Sequence, residues 1–222
     1  MSGRLYTGAS GFSYPSWKGD FYPAHAKPED FLRLYAERVN AVELNNTFYR
    51  VPPEDQFDRW AAQVRDGFRF AVTASRRLTS FGRVEGVDEF CRMARRMGDR
   101  LGPLRFKVAQ ARDDGFLRLL LDSLDPEIPV ALDFRHDSWD DPDVNAFLDE
   151  RGVARVDALE GAAAFRYLRL REPPYNAEAL AALAETVRAQ VEAGVDVYAF
   201  FRHEDEPTAP LYAQRLRELV EE

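Results

Sequence analysis

Glu43, Asp133 and Asp157 each close a short strand-like run in this 222-residue sequence, and Lys107, Arg135 and Arg169 hold matching positions in other runs. A carboxylate sheltered at a strand end can have its pKa raised toward neutrality, which suits it to acid–base work. Cations beside it would hold an anion through charge-assisted hydrogen bonds. Glu43 and Asp133 are therefore the candidates for proton transfer or metal coordination. His136, just past the fifth run, is a third candidate, as a base or a metal ligand. The same residues have a plainer reading, in which Glu43 and Asp133 form ion pairs with Arg135 or Arg169 that tie strands together, and His136 orders the next turn with Ser138. Both readings stand at this point. Asn45, Tyr49, Arg50 and Arg202 follow strand-like runs and join Lys107, Arg135, Asp157 and Arg169 as candidate substrate-binding residues.

Tyr14, Trp17, Phe48, Tyr49 and Trp139 cluster at or after strand ends, where flat rings stack on a sugar or base or else cap a core. Trp17 and Phe48 read better as caps, and Tyr49 as a contact. Ser10 reads as a turn residue because its surroundings lack the spacing of a hydrolase elbow. His25 and His203 read as solvated loop residues. Glu43, Asp133, His136 and Asp157 have ligand types that suit a divalent metal, with no spacing signature behind them. Arg76, Arg77 and Arg83 make a basic loop, either simply solvated or able to close over an anion.

The elements that must position these groups alternate from end to end. Strands are predicted at Leu5–Ser10, Ala41–Asn45, Phe68–Ala74, Leu104–Val108, Val130–Arg135, Val153–Asp157, Phe165–Leu170 and Val195–Phe201. Amphipathic helices lie between them, two opening on Pro28-Glu29-Asp30 and Pro53-Glu54-Asp55, as the free amides and positive end of a helix require. Eight βα units predict an α/β fold, a (β/α)8 TIM-type barrel formed by residues 1–222 as one domain. Only Ala158 to Ala164 separate the sixth and seventh strands, too few for a helical crossover, so that helix should be missing or very short.

Side-chain alternation then assigns faces. Helices covering a parallel sheet demand an apolar outer face, so Val42, Leu44, Phe70, Val72, Phe106, Val108, Leu132, Phe134, Val156, Leu168 and Leu170 should face the helices. Glu43, Asn45, Lys107, Asp133, Arg135, Asp157 and Arg169 should face the interior. Arg69, Arg105 and Arg155 read as structural ion pairs in the lower layers.

Net charge −8 and a sequence pI of 5.1 count against nucleic acid or an anionic membrane as partner, so any anion site must be local. The single cysteine excludes an internal disulfide and predicts a reducing compartment. With no apolar signal or spanning segment, the chain reads as soluble and cytoplasmic.

Four segments together carry a family resemblance: Gly8-Ala9-Ser10-Gly11-Phe12-Ser13-Tyr14 with Trp17 and Phe21-Tyr22-Pro23; Val42-Glu43-Leu44-Asn45-Asn46-Thr47-Phe48-Tyr49-Arg50; Asp133-Phe134-Arg135-His136-Asp137-Ser138-Trp139; and Tyr167-Leu168-Arg169-Leu170 with Tyr175. In these the chain resembles the YecE-like family, domain of unknown function 72, over essentially its whole length. The resemblance implies a TIM-type barrel and no particular reaction. The chain departs from the family pattern at several strand ends: Thr73 stands where a lysine is usual, Lys107 with Ala109-Gln110 where a glutamine and Pro-Pro are, and Asp133 where a glutamate is. Arg171-Glu172 replaces His-Gly, and Arg202-His203 a pair of asparagines. Lys107 would return, from the adjacent strand, the charge missing at Thr73. The residues thus predict an enzyme acting on a small phosphorylated or carboxylate substrate. The alternatives are a binding module for nucleic acid or a phosphorylated ligand, and a barrel that has lost its activity.

Overall fold

The computed structural model describes residues 2–49, 52–79 and 84–222. Strand β1 (Leu5–Ala9) is followed by α1 (Phe31–Arg38), β2 (Ala41–Leu44), α2 (Glu54–Ala62), β3 (Arg69–Thr73), α3 (Val87–Ala94), β4 (Leu101–Val108) and α4 (Asp114–Asp122). Then come β5 (Val130–Phe134), α5 (Pro142–Glu150), β6 (Ala154–Arg155), β7 (Phe165–Leu170), α6 (Ala177–Glu192), β8 (Asp196–Phe201) and α7 (Thr208–Glu221). The helix starts follow local chemistry. Asp113, Asp141 and Asn176 cap α4, α5 and α6 through their side-chain oxygens, and Pro142 opens α5. Residues 156–164 contain no helix, as their number predicts.

Every strand pairing is parallel, in two sheets ordered β2-β3-β4-β5-β6 and β1-β8-β7. Two seams therefore interrupt the ladder, at β1/β2 and β6/β7. At the first, Asn40 accepts from the Thr7 amide and donates to the Leu5 carbonyl, both at 2.8 Å. The Tyr35 hydroxyl accepts from the Ala9 amide at 2.6 Å and donates to the Ala41 carbonyl at 3.1 Å. Gly8 is required there, since a Cβ on it would stand 1.9 Å from the Ala41 oxygen. At the second seam, the Asp157 amide donates to the Tyr167 carbonyl at 2.8 Å.

Two apolar layers follow from strand alternation. Val42, Leu44, Phe70, Val72, Leu104, Phe106, Val108, Val130, Leu132, Leu168, Val197 and Phe201 pack outward in the core shared with the helices. Tyr6, Ala41, Ala71, Ala131, Ala154, Phe165, Tyr167, Tyr198 and Phe200 form the inner cluster. The lower interior is thus filled by rings and alanines rather than by charges. Tyr6 stacks on Tyr198, with the Arg69 guanidinium over the Tyr6 ring.

Strand β6 reverses the predicted faces. Ala154 and Val156 belong to the inner cluster, while Arg155 turns outward to the Trp139 carbonyl, Asn145 and Asp140. Where no helix follows the strand, the outer side needs no apolar cover, and the alternation rule loses its premise. The loop is held by Arg166 of β7, a buried residue whose guanidinium donates to the carbonyls of Leu159 (2.8 Å), Gly161 (2.9 Å) and Ala163 (2.9 Å). Replacing Arg166 by Met keeps the aliphatic stem and leaves those acceptors without donors. The expected loss is on the order of 3 kcal/mol, read as a lower denaturant midpoint. An unchanged midpoint would remove Arg166 from this role.

Candidate functional site

The carboxyl ends of β2, β4, β5 and β7 bring one charged cluster together. Glu43 is fully buried. Its Oε1 accepts from the Tyr167 hydroxyl at 2.8 Å and Arg169 Nε at 2.9 Å, and its Oε2 accepts from Asn45 Nδ2 at 2.9 Å and Arg169 Nη2 at 3.1 Å. Asp133 accepts at Oδ2 from Arg105 Nε (3.1 Å) and Nη2 (2.5 Å), and at Oδ1 from Arg135 Nη1 (3.3 Å). Arg105 links the two acids, with Nη1 3.7 Å from Glu43 and within 3.1 Å of the Thr73 hydroxyl. Asn45 completes the brace, its Oδ1 accepting from Thr73 Oγ1 at 2.9 Å.

Registration explains this convergence. Lys107 lies opposite Asp133, and Arg105 opposite Ala131 one layer lower. The long Arg105 side chain reaches up past that alanine to the carboxylate. Arg105 therefore belongs to the upper cluster rather than to the lower-layer ion pairs expected of it. The Lys107 ammonium lies 5.6 Å from the Phe48 ring centroid, and the Arg135 side chain is 39% exposed at the rim.

The electrostatics run opposite to the expectation for the two acids. Burial pushes both carboxyls up, but Arg105 and Arg169 beside Glu43, and Arg105, Arg135 and Arg169 beside Asp133, hold them below the usual carboxylate range. They are fixed anions, unsuited to proton exchange near neutrality. Burial and the Glu43 charge push the Tyr14 hydroxyl up to about 12, and burial pushes Tyr167 well above its ordinary value, with the charge of Glu43 adding to it. Lys107 moves the other way, held below the ordinary lysine value by partial burial and then by Arg135.

Several predicted residues do not join this cluster. His136 is exposed, and its Nδ1 accepts from the Ser138 amide at 3.1 Å, capping the turn that the plainer reading assigned to it. Asp157 turns away at φ 66°, accepts from the Arg169 amide at 2.6 Å and pairs with Arg171, instead of facing the interior. Arg202 is 61% exposed with Glu204 as its near acid, and Tyr49 is 75% exposed against the edge of Phe48. Arg50 and Arg83 lie outside the described residues. Glu43, Asp133, His136 and Asp157 thus make no common ligand set, and among the described residues no three His, Cys, Asp or Glu side chains are grouped to hold a metal ion. Trp17 and Trp139 are fully buried, each donating its indole N–H to a backbone carbonyl.

Three further groups make contacts that the sequence did not foretell. Tyr167 alternates with Leu168 and so shares the inner face of β7 with Arg169, and its bond to Glu43 spans 124 positions. The Ser10 hydroxyl lies 3.2 Å from His203 Nδ1 and accepts from the His203 amide at 3.0 Å. The Tyr14 ring stacks on the His203 imidazole at 4.7 Å. His203 is thus the exposed loop residue expected, with its ring and amide held by these contacts.

A recess of about 660 Å³ opens at the other end of the strands, between Arg4, Arg69, Arg95, Arg100 and Glu127. Its cations Arg95 and Arg100 are already paired, with Asp125 and Glu127 and with Asp66. The strand carboxyl ends are the better candidate, being where proteins of this build place their chemistry.

Parallel strands under helices, with an ion-paired polar cluster at their carboxyl ends, define an α/β protein of barrel-like build. The chain belongs to the DUF72 family, a protein family of unknown function whose model matches residues 6–222. It is 27% identical over 167 residues to the UPF0759 protein YecE of Escherichia coli K12, a match covering 68% of this chain and 58% of that protein. The matched stretch is thus less than two thirds of the curated relative's length. A DUF72 family crystal structure from Thermotoga maritima superposes with a TM-score of 0.84 at 25% identity, covering 99% of this chain and 100% of the other. One from Enterococcus faecalis gives 0.78 at 15% identity, covering 99% and 98%. No helix among the described residues is long and apolar enough to cross a membrane.

Proposed function

We propose that the eight strands form a TIM-type barrel whose upper end binds a small phosphorylated or carboxylate anion. The observation that carries this reading is an imbalance of charge. Arg105, Lys107, Arg135 and Arg169 surround only two carboxylates, Glu43 and Asp133, at the centre of a chain whose net charge is −8. Glu43 and Asp133 neutralise and aim the inner guanidiniums. Lys107 and the outer edge of Arg135 remain to meet a ligand, with the exposed Tyr49 ring set against Phe48, the ring that Lys107 faces. This arrangement keeps the predicted anion and reassigns the acids from proton transfer to positioning.

Thermal shift and calorimetry with inorganic phosphate and with sugar phosphates test the reading, since a ligand of the folded state raises its melting temperature. Phosphate should stabilise the wild type, and Arg135→Met, a rim substitution, should weaken binding by about tenfold, as loss of one charge-assisted hydrogen bond implies. An equal response in wild type and variant would discard the site. Salt-sensitive binding of a single-stranded oligonucleotide with no response to phosphate would favour the nucleic-acid reading instead.

A further inference from the structure

We propose that the Lys107 amine is the reactive group of this site, forming an imine with an anionic aldehyde or ketone. This deepens the anion-site reading and rests on it.

The chain holds thirty Lys and Arg residues, of which only Lys18, Lys27 and Lys107 are lysines. Arginine supplies charge almost everywhere, in the central cluster and in the surface pairs alike. A lysine at the mouth offers what a guanidinium does not, a nitrogen that loses its proton and then carries a free electron pair. Lys18 and Lys27 are exposed, whereas Lys107 is half-buried.

Its surroundings favour the neutral form. Partial burial and the cations Arg135 on β5, Arg105 on its own strand and Arg169 on β7 push it that way, outweighing Asp133 on β5 and the Phe48 ring 5.6 Å away, which favour the ammonium. That acid is already engaged by Arg105 and Arg135, and among the described residues Lys107 makes no ion pair of its own. Glu43 and Asp133 are held below the ordinary carboxylate range and Tyr14 and Tyr167 above the ordinary tyrosine value, whereas the half-buried Lys107 amine is shifted toward its neutral, nucleophilic form. Arg135 at the rim would hold the anionic end of the substrate while its carbonyl meets Nζ.

The step balances without an added oxidant or reductant. The amine electron pair forms the C–N bond as the carbonyl π pair moves to oxygen, and that oxygen takes a proton from nitrogen. Loss of the hydroxyl as water, with one proton from solvent, leaves the protonated imine.

Pyridoxal 5′-phosphate, a phosphorylated aldehyde, and pyridoxal, its uncharged counterpart, are the probes. Each is incubated with the full chain near neutral pH, reduced with borohydride and mapped by peptide mass. Pyridoxal 5′-phosphate should modify Lys107 about tenfold faster than the better exposed Lys18 and Lys27, because the anion site would hold its phosphate while the aldehyde meets the amine. Inorganic phosphate should protect Lys107 alone, and pyridoxal should show a smaller preference. Reductive methylation with formaldehyde across pH should place the Lys107 midpoint below the ordinary lysine value, and Arg135→Met should raise it. Equal labelling of the three lysines, with phosphate binding intact, would overturn the imine and leave the anion site standing. Preferred labelling of Lys107 by both aldehydes without phosphate protection would overturn the anionic substrate and the anion site while keeping the amine.

Discussion

Glu43→Gln is expected to destabilise the protein by about 3–5 kcal/mol at neutral pH, the loss that follows when one partner of a buried ion pair is removed. The glutamine keeps the shape and a carbonyl oxygen for the Tyr167 hydroxyl. It removes the charge that Arg169 grips at 2.9 and 3.1 Å and that Arg105 faces at 3.7 Å. Arg105 is 5% and Arg169 16% exposed at the side chain, so neither recovers its hydration cheaply. Arg169→Met on top of Glu43→Gln should recover part of the loss, because the uncompensated cation leaves with it, and a double-mutant cycle by chemical denaturation reads that coupling. A loss below about 1 kcal/mol for Glu43→Gln, the range of an exposed pair, would show a cluster open to water.

Such a cluster is dear to build, which bears on why it is there. Two buried acids with one buried and one half-buried arginine seldom stabilise a fold more than well-packed apolar side chains would. Here Glu43 serves two cations and Asp133 three, and Arg105 and Arg169 each serve both acids, so the two arginines are held in fixed directions. Fixed dipoles and charges aimed before the ligand arrives are what an anion site needs.

How far the residues alone led depends on how local each cause was. Alternation in β2, β5 and β7 put Glu43, Asp133 and Arg169 on the inner face, because the helices above those strands leave the apolar side no other place. Lys107 followed from the same rule. Arg105 did not, since its layer depends on the β4–β5 register, set by residues far apart in the chain. The sign of the acid pKa shifts was hidden for the same reason: burial alone raises a carboxyl, and only the three-dimensional count of arginines reverses it. His136 took the turn-ordering role that its residues left open, its ring accepting from the Ser138 amide, whereas Asp157 was drawn off the interior face by the Arg169 amide of β7, a partner twelve residues on that local pattern does not show. The β6/β7 seam was legible in the short link. The β1/β2 seam was not, since it rests on single bridging side chains, Asn40 and Tyr35, with no pattern in the sequence.

The same cluster fixes how stability should respond to acid. Glu43 and Asp133 have folded pKa values below their unfolded ones, so their contribution is complete above the ordinary carboxylate range, near pH 4, and is lost as pH falls through the depressed folded values. Between neutrality and about pH 5 these two groups should give a flat profile; below about pH 4 stability should fall steeply as the native state is forced to bind protons. Arg105→Met identifies the cause. Without Arg105, both acids lose a cation that holds them down, and burial pushes their pKa values back up. The variant should be weaker than wild type by about 3–5 kcal/mol at neutral pH. That gap should narrow as pH drops, because protonation removes from the wild type the attraction the variant already lacks. Urea midpoints taken from neutral pH down to about 3 would measure it. A gap that stays constant over that range would assign the Arg105 effect to packing and hydrogen bonding rather than to its charge between the two acids.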